Sequence, residues 1–171
     1  MIAAIVTTND FSSYQEVHTH SFNRNAFNFV IGNFGMKQAP MICVQSVDGA
    51  LFFLQQDTQI FQIQLSNFLI PGPIAYCGSS DSVIIANSNL EVESYKFTSL
   101  QTTGRNNIDQ QKEAQAKDEN AGKVEPDWVA NLGEHPAHIK VHENAYSSQS
   151  DLVVACETTV LILTDKGKIR F

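Results

Sequence analysis

Charge is scarce in this sequence: only 17% of its 171 residues are Asp, Glu, Lys or Arg, against roughly 25% in an ordinary globular chain. The formal net charge of −7 argues against a nucleic-acid backbone or an anionic membrane surface as the partner, because both are held by clustered cations. No apolar run is long enough to span a bilayer. The apolar opening Met1–Val6 is too short for a signal peptide, lacks a basic leader and reads better as a strand. Cysteine is limited to Cys43, Cys77 and Cys156, an odd number with no close pairing. All three sit in apolar contexts (MICVQ, AYCGS, VVACE), so buried reduced thiols are expected rather than disulfides, which suits a reducing compartment. Catalytic signatures are missing as well: there is no nucleophile elbow, no GxGxxG, no GxxxxGK[ST], no HExxH and no Cys–His ligand spacing.

What the chain does hold is a succession of short apolar strands punctuated by turns, densest over Met41–Tyr95. The predicted strands are Ile2–Thr7, Tyr14–Phe22, Phe27–Phe34, Met41–Ser46, Leu51–Gln55, Gln59–Leu65, Gly72–Cys77, Asp81–Asn87, Leu90–Leu100, Asp127–Leu132, His135–Val141, Asp151–Cys156, Val160–Thr164 and Lys168–Phe171. Asp48-Gly49 between two β-rich runs is a hairpin signal, Ser88-Asn89 marks another, and Asp165–Lys168 makes the last turn. Pro71-Gly72-Pro73 is a rigid break. Gly32 inside a strand marks a bulge or a close backbone approach. The length suits one ordinary domain with a sizeable core.

The strands repeat as a unit. Phe27–Phe34, Gly72–Cys77 and His135–Val141 take the first place, and Met41–Ser46, Asp81–Asn87 and Asp151–Cys156 the second. The anchors Cys43 and Ile84 lie 41 residues apart. The longer interval from Ile84 to Val154 shrinks to about 45 once an insertion is removed, and four strands per ~40–45 residues is the pattern of a β-propeller. The expectation is an all-β chain, an incomplete β-propeller of four-stranded antiparallel blades: the end of one blade over about 1–22, then blades over 27–65, 72–132 and 135–171. The insertion, Gln101–Pro126, has no aromatic residue and mixes charges of both signs, so it is predicted to be a disordered loop, with Ile108–Lys117 as a transient helix. A propeller is held together by ring closure, and so few blades cannot close, so the chain is expected to be a fragment of a longer protein or a partial gene product.

Candidate sites are thin. His18 and His20 share a strand face, as do His138 and His142 with His135 nearby, but neither group has a recognised ligand spacing and ordinary histidines are the expectation. Glu91 and Glu93 share a face that the alternation of LEVESYKF suggests is solvated. Ser79-Ser80-Asp81 and Asp48-Gly49 read as turn chemistry. Trp128 reads as a cover for a blade edge or as an interface anchor, and FFLQQDTQIFQIQL as packing between blades. No catalytic, cofactor-binding or metal residue is assigned, and no cofactor is expected.

Several motifs together resemble a known family. Pro40-Met41-Ile42-Cys43-Val44-Gln45-Ser46-Val47-Asp48-Gly49-Ala50-Leu51, then Phe68-Leu69-Ile70-Pro71-Gly72-Pro73-Ile74-Ala75-Tyr76, then Val92-Glu93-Ser94-Tyr95-Lys96 are similar in kind and order to the parathyroid-hormone-responsive B1 family, the ninth of the Bardet–Biedl syndrome proteins. Phe22-Asn23-Arg24, Gly32-Asn33-Phe34-Gly35, Asp127-Trp128, Asn131-Leu132-Gly133-Glu134 and Asp165-Lys166-Gly167-Lys168-Ile169-Arg170-Phe171 follow the same order, so the resemblance runs from about Phe22 to Phe171. It implies part of a seven-bladed N-terminal propeller and a non-enzymatic scaffold role in the BBSome, a coat-like complex that carries membrane proteins to and from cilia. It further implies other BBSome subunits as partners, indirect membrane association through an Arf-like small GTPase, no nucleic acid, and a place in the cytoplasm, the cilium and ciliary membrane, the basal body and centriolar satellites. The competing reading of the repeat is an unrelated propeller interaction module in another scaffold or vesicle coat; a metal-binding or catalytic propeller using the histidine pairs is the third.

Overall fold

The computed structural model describes residues 2–7, 14–69, 72–112, 124–143 and 149–170, with side chains described over 19–69, 72–105, 124–143 and 149–170. The described residues form four antiparallel sheets in sequence order. The first pairs β1 (Ile2–Thr7) with β2 (Tyr14–His20). The second is ordered β3-β4-β5-β6, from Ala26–Gly32, Met41–Ser46, Ala50–Gln55 and Thr58–Gln64. The third is ordered β10-β9-β8-β7, from Ile74–Cys77, Ser82–Ala86, Glu91–Lys96 and Trp128–Asn131. The fourth is ordered β11-β12-β13, from Pro136–Glu143, Ser150–Cys156 and Val160–Thr164. Each sheet therefore uses neighbouring strands joined in sequence, the meander that a propeller blade requires.

Strand periodicity sets how the sheets meet. Successive side chains of a strand point to opposite faces, and in β8 both faces are apolar. Val83 and Ile85 enter one core with Cys43, Leu51, Phe53, Phe61 and Ile63 of the second sheet. Ile84 and Ala86 enter another with Leu152, Val154 and Leu163 of the fourth. The second sheet repeats the arrangement: Leu51 and Phe53 face the third sheet, while Val44, Phe52 and Leu54 pack on their other side with Phe22, from the segment that follows β2. Two cores thus lie between successive sheets, a third cluster covers the other face of the second sheet, and the fold is a partial β-propeller.

Turns obey their residues. Gly49 takes φ +81° at the β4–β5 hairpin and its N–H donates to Ser46 O at 3.1 Å. At the β8–β9 hairpin the Asn87 side-chain oxygen accepts from the Asn89 N–H at 2.8 Å. Gly32 marks a close approach rather than a bulge: a Cβ there would stand 2.3 Å from the Tyr76 ring, and the irregularity of β3 lies between Ala26 and Asn28.

The structure corrects three strand expectations. The strand predicted over Leu90–Leu100 stops at Lys96, and a 16-residue helix, α1 (Phe97–Lys112), begins at once. It stands where a disordered loop was expected from Gln101; residues 113–123 of that insertion lie outside the described residues, and Val124, also expected to be disordered, is buried in the core between the second and third sheets. The polar composition is a poor helix former, but Phe97, Leu100 and Gly104 fall at i, i+3 and i+7 and share one face. Phe97 and Leu100 are fully or almost fully buried in the core between the second and third sheets. Tertiary packing, not propensity, holds this helix. At Gly104 the helix lies so close to β6 that a Cβ would be 2.5 Å from the Phe61 ring and 3.1 Å from Gln62 O. Of the predicted strand Lys168–Phe171, whose last residue lies outside the described residues, the rest appears only as an isolated bridge between Ile169 and Leu163. Finally, β2 ends at His20 instead of Phe22, whose ring packs beyond the strand end with its centroid 4.7 Å from that of Phe52 and tilted by 48°.

Truncating Phe53, which contacts the Phe34, Phe61 and Phe97 rings, is expected to be costly. Phe53→Ala should lower unfolding free energy by about 3–5 kcal/mol, whereas Gln62→Ala on the exposed side of β6 should stay within about 0.5 kcal/mol. Urea titration of both variants checks this.

Candidate interaction surface

The first strands of three sheets run side by side, β3 beside β7 and β7 beside β11. Their close approach follows from what precedes them: Gly72 and Pro73 carry no bulky side chain and both are buried. The Asn28 side-chain amide donates to Gly72 O at 3.2 Å and ties β3 to the entry of β7. A groove of about 470 Å³ opens here between the Phe27–Phe29 stretch of β3, Pro73, and Ala137 and His138 of β11. On β3 the alternation puts Phe27, Phe29 and Ile31 outward, 46%, 55% and 56% exposed. Three large apolar side chains at i, i+2 and i+4 are unusual for a surface strand. The pattern FNFVI was visible in the sequence; what the sequence did not show was which of its two faces is covered.

A second cluster joins the sheets at the β7–β8 turn. Asp81, held at φ +48°, accepts the Gly35 N–H on both carboxylate oxygens at 3.0 and 3.1 Å and the Tyr76 hydroxyl at 3.0 Å. Burial first, and then this bond to the carboxylate, hold the Tyr76 hydroxyl above the ordinary phenol range. Reading Ser79-Ser80-Asp81 as turn chemistry accounts for its position but misses this cross-sheet clamp, because Gly35 is 46 residues away in sequence.

The acidic pair of β9 corrects an expectation. Glu93 is not solvated: it is 3% exposed. Its carboxylate accepts the Asn87 side-chain amide at 2.9 Å and the Tyr95 hydroxyl at 2.7 Å. Glu91 takes the same Asn87 amide at 2.9 Å, so the two carboxylates do share a face. Burial and the bond to Glu93 raise the Tyr95 hydroxyl. Neutral donors around a buried carboxylate form a structural network.

The two histidine groups stand on different sheets, His18 and His20 on β2 and His138 and His142 on β11. His20 Nε2 bonds Gln56 O at 2.7 Å, while the His18 side chain lies outside the described residues. Among the described residues no group of three or more His, Cys, Asp or Glu side chains could hold a metal ion. Trp128 anchors an internal boundary: its Nε1–H donates to Asp165 O at 2.9 Å and its ring covers Gly167. The three cysteines are free, with Cys43 and Cys77 buried and Cys156 half-buried. Desolvation pushes the Cys43 thiol far up. Asp48, at the β4–β5 turn, has its carboxyl lowered by the Ser46 hydroxyl and by Arg24, which it pairs with at 2.5 Å.

The comparisons with known proteins agree with this geometry. Residues 3–171 match the family model described as PTHB1 N-terminal. Protein PTHB1 of Xenopus laevis is 35% identical over 157 residues, 91% of this chain and 18% of the relative's length. Protein PTHB1 of Homo sapiens is 34% identical over the same share of this chain and 17% of its own length. A pthb1 homologue of Caenorhabditis elegans is 30% identical over 158 residues. The chain thus spans less than a fifth of the curated relatives it matches. Among solved structures, BBS1N in complex with ARL6DN matches 98% of this chain and 46% of that chain, with a TM-score of 0.65 at 13% identity. At that identity the likeness speaks for the fold alone.

Two outcomes test the site. Glu93→Leu strands the Asn87 and Tyr95 donors and should cost roughly 1–3 kcal/mol per donor, while Glu93→Gln should cost less; chemical denaturation separates them. In the folded protein an alkylating reagent should modify Cys156 before Cys43, as mass mapping of the labelled chain would record.

Proposed function

The chain belongs to the PTHB1 N-terminal family, and from that premise we propose that it serves as a non-enzymatic contact module of a BBSome-related scaffold. One observation carries the reading: identity of 34–35% with the PTHB1 proteins extends over 91% of the chain, so it covers the stacked sheets and the residues between them instead of a short repeat motif. The domain reading places all of it in one propeller, with blades over 27–65, 72–132 and 135–171 and the end of another over about 1–22.

The structure's chemistry supports contact over catalysis. Asp81 clamps adjacent sheets, the buried Glu93 is satisfied by Asn87 and Tyr95, and Trp128 closes a sheet boundary. These polar groups are spent on holding the arc, leaving sheet faces and rims to meet other proteins. The neighbour of like fold, BBS1N, is itself found in complex with ARL6DN. The role we propose is part of a coat-like assembly that moves membrane proteins to and from cilia. Other BBSome subunits would be its direct partners, an Arf-like GTPase its indirect link to the membrane, and the cytoplasm and cilium its setting.

Affinity purification of the tagged natural gene product from ciliated cells tests the proposal. Recovery of the other BBSome subunits in stoichiometric amounts is expected; recovery of none of them would overturn it.

A further inference from the structure

The second sheet ends in a strand that its own side chains do not protect. β6 (TQIFQIQ) is last in the order β3-β4-β5-β6. That sheet has all four of its strands, so the free edge belongs to the sheet and not to either end of the chain. Backbone pairing fixes what the edge displays. The Leu65 N–H donates to Gly49 O at 3.1 Å, and Ile63 and Phe61 continue the same register opposite Leu51 and Phe53. Backbone groups of an antiparallel strand alternate in direction. Phe61, Ile63 and Leu65 therefore turn theirs to β5, while Gln62 and Gln64 turn theirs away from it. An edge of that kind is a template for another strand.

Sheets blunt such edges with charge, proline or a very short strand. The outer strand of the third sheet, β10, has four residues, with Asp127 just before it and Glu134 soon after. β6 has seven, and no Asp, Glu, Lys or Arg occurs over residues 58–80. The strand also lacks proline and glycine. Its isoleucines and phenylalanine between glutamines are the composition that stacks into intermolecular cross-β sheets. One bulge interrupts it: Phe53 pairs with Phe61 but Leu54 with Gln59, which leaves Ile60 extra. From Phe61 to Gln64 the edge is regular.

α1 lies on that regular part. Phe97 and Leu100 seat the helix in the core that also holds Phe61. At Gly104 it comes so near that a Cβ would stand 3.1 Å from Gln62 O, one of the outward carbonyls. The helix thus stands where an added strand would have to pair. Glycine weakens a helix interior; here it is the residue that lets the helix reach the strand edge. The side that α1 shows to solvent is polar, with Thr98, Ser99, Thr102 and Arg105 exposed.

We propose that α1 is an edge guard. It covers the outward backbone of β6 and keeps that strand from pairing with the β6 of a second copy of the chain, which takes the edge when the helix is displaced.

Gly104→Ala pushes the helix off the edge while raising its helix propensity, and tests this in the full-length natural gene product. Sedimentation velocity should show self-association stronger by about tenfold or more, with thioflavin T binding. Adding Gln62→Lys should return association to the natural level, because a lysine on the edge bars strand pairing without reseating the helix. If folded Gly104→Ala sediments like the natural protein, or if Gln62→Lys leaves its association unchanged, the guard is overturned. Should Gly104→Ala fail to fold, Thr102→Pro breaks the helix from an exposed position and is read in the same way. A synthetic peptide of residues 58–65 should form thioflavin-positive fibrils, and its Gln62→Lys form should not. A natural-sequence peptide that stays soluble would overturn the hazard that the guard answers.

Discussion

Everything in this fold depends on central strands that are apolar on both faces. A sheet that met a neighbour on one side only would alternate apolar with polar residues. β8 reads SVIIA and is buried throughout, and β5 reads ALFFLQ with only its last residue less than buried. Each must be enclosed by a sheet on either side, or leave a row of Phe, Leu or Ile in water. Stacking face to face satisfies that constraint repeatedly, and it is why the described residues form separate cores on the two faces of the third sheet instead of one.

Much of this was legible in the sequence because the physics is local. Period-two strands, the Asp48-Gly49 turn and the recurring spacing between Cys43 and Ile84 needed only near neighbours to interpret. The helix was not legible, because its stability comes from Phe61 and Phe53 across the sheet boundary and not from its own Thr-, Asn- and Gln-rich composition. Glu93 was misread for the same reason. Alternation in LEVESYKF shows that Glu93 and Tyr95 share a face; that this face is enclosed by the second sheet is a tertiary fact. The clamp between Asp81 and Gly35 and the covering of Gly167 by Trp128 likewise join residues far apart in the chain.

A contact module in a large assembly needs a rigid body to present its surfaces, and the aromatic core that Phe97 and Leu100 of α1 help to fill contributes one. The outward Phe27, Phe29 and Ile31 show that β3 too is apolar on both faces, with Val30 packed against the core on its other side.

The central claim is that adjacent residues of one strand face different sheets. Methyl-resolved nuclear Overhauser spectroscopy of the folded chain tests it most directly at β8. Val83 and Ile85 should show cross-peaks to side chains of β4 and β5, and Ile84 and Ala86 to side chains of β12. If Ile84 and Ile85 both gave cross-peaks to the same sheet, the stacked arc would be contradicted.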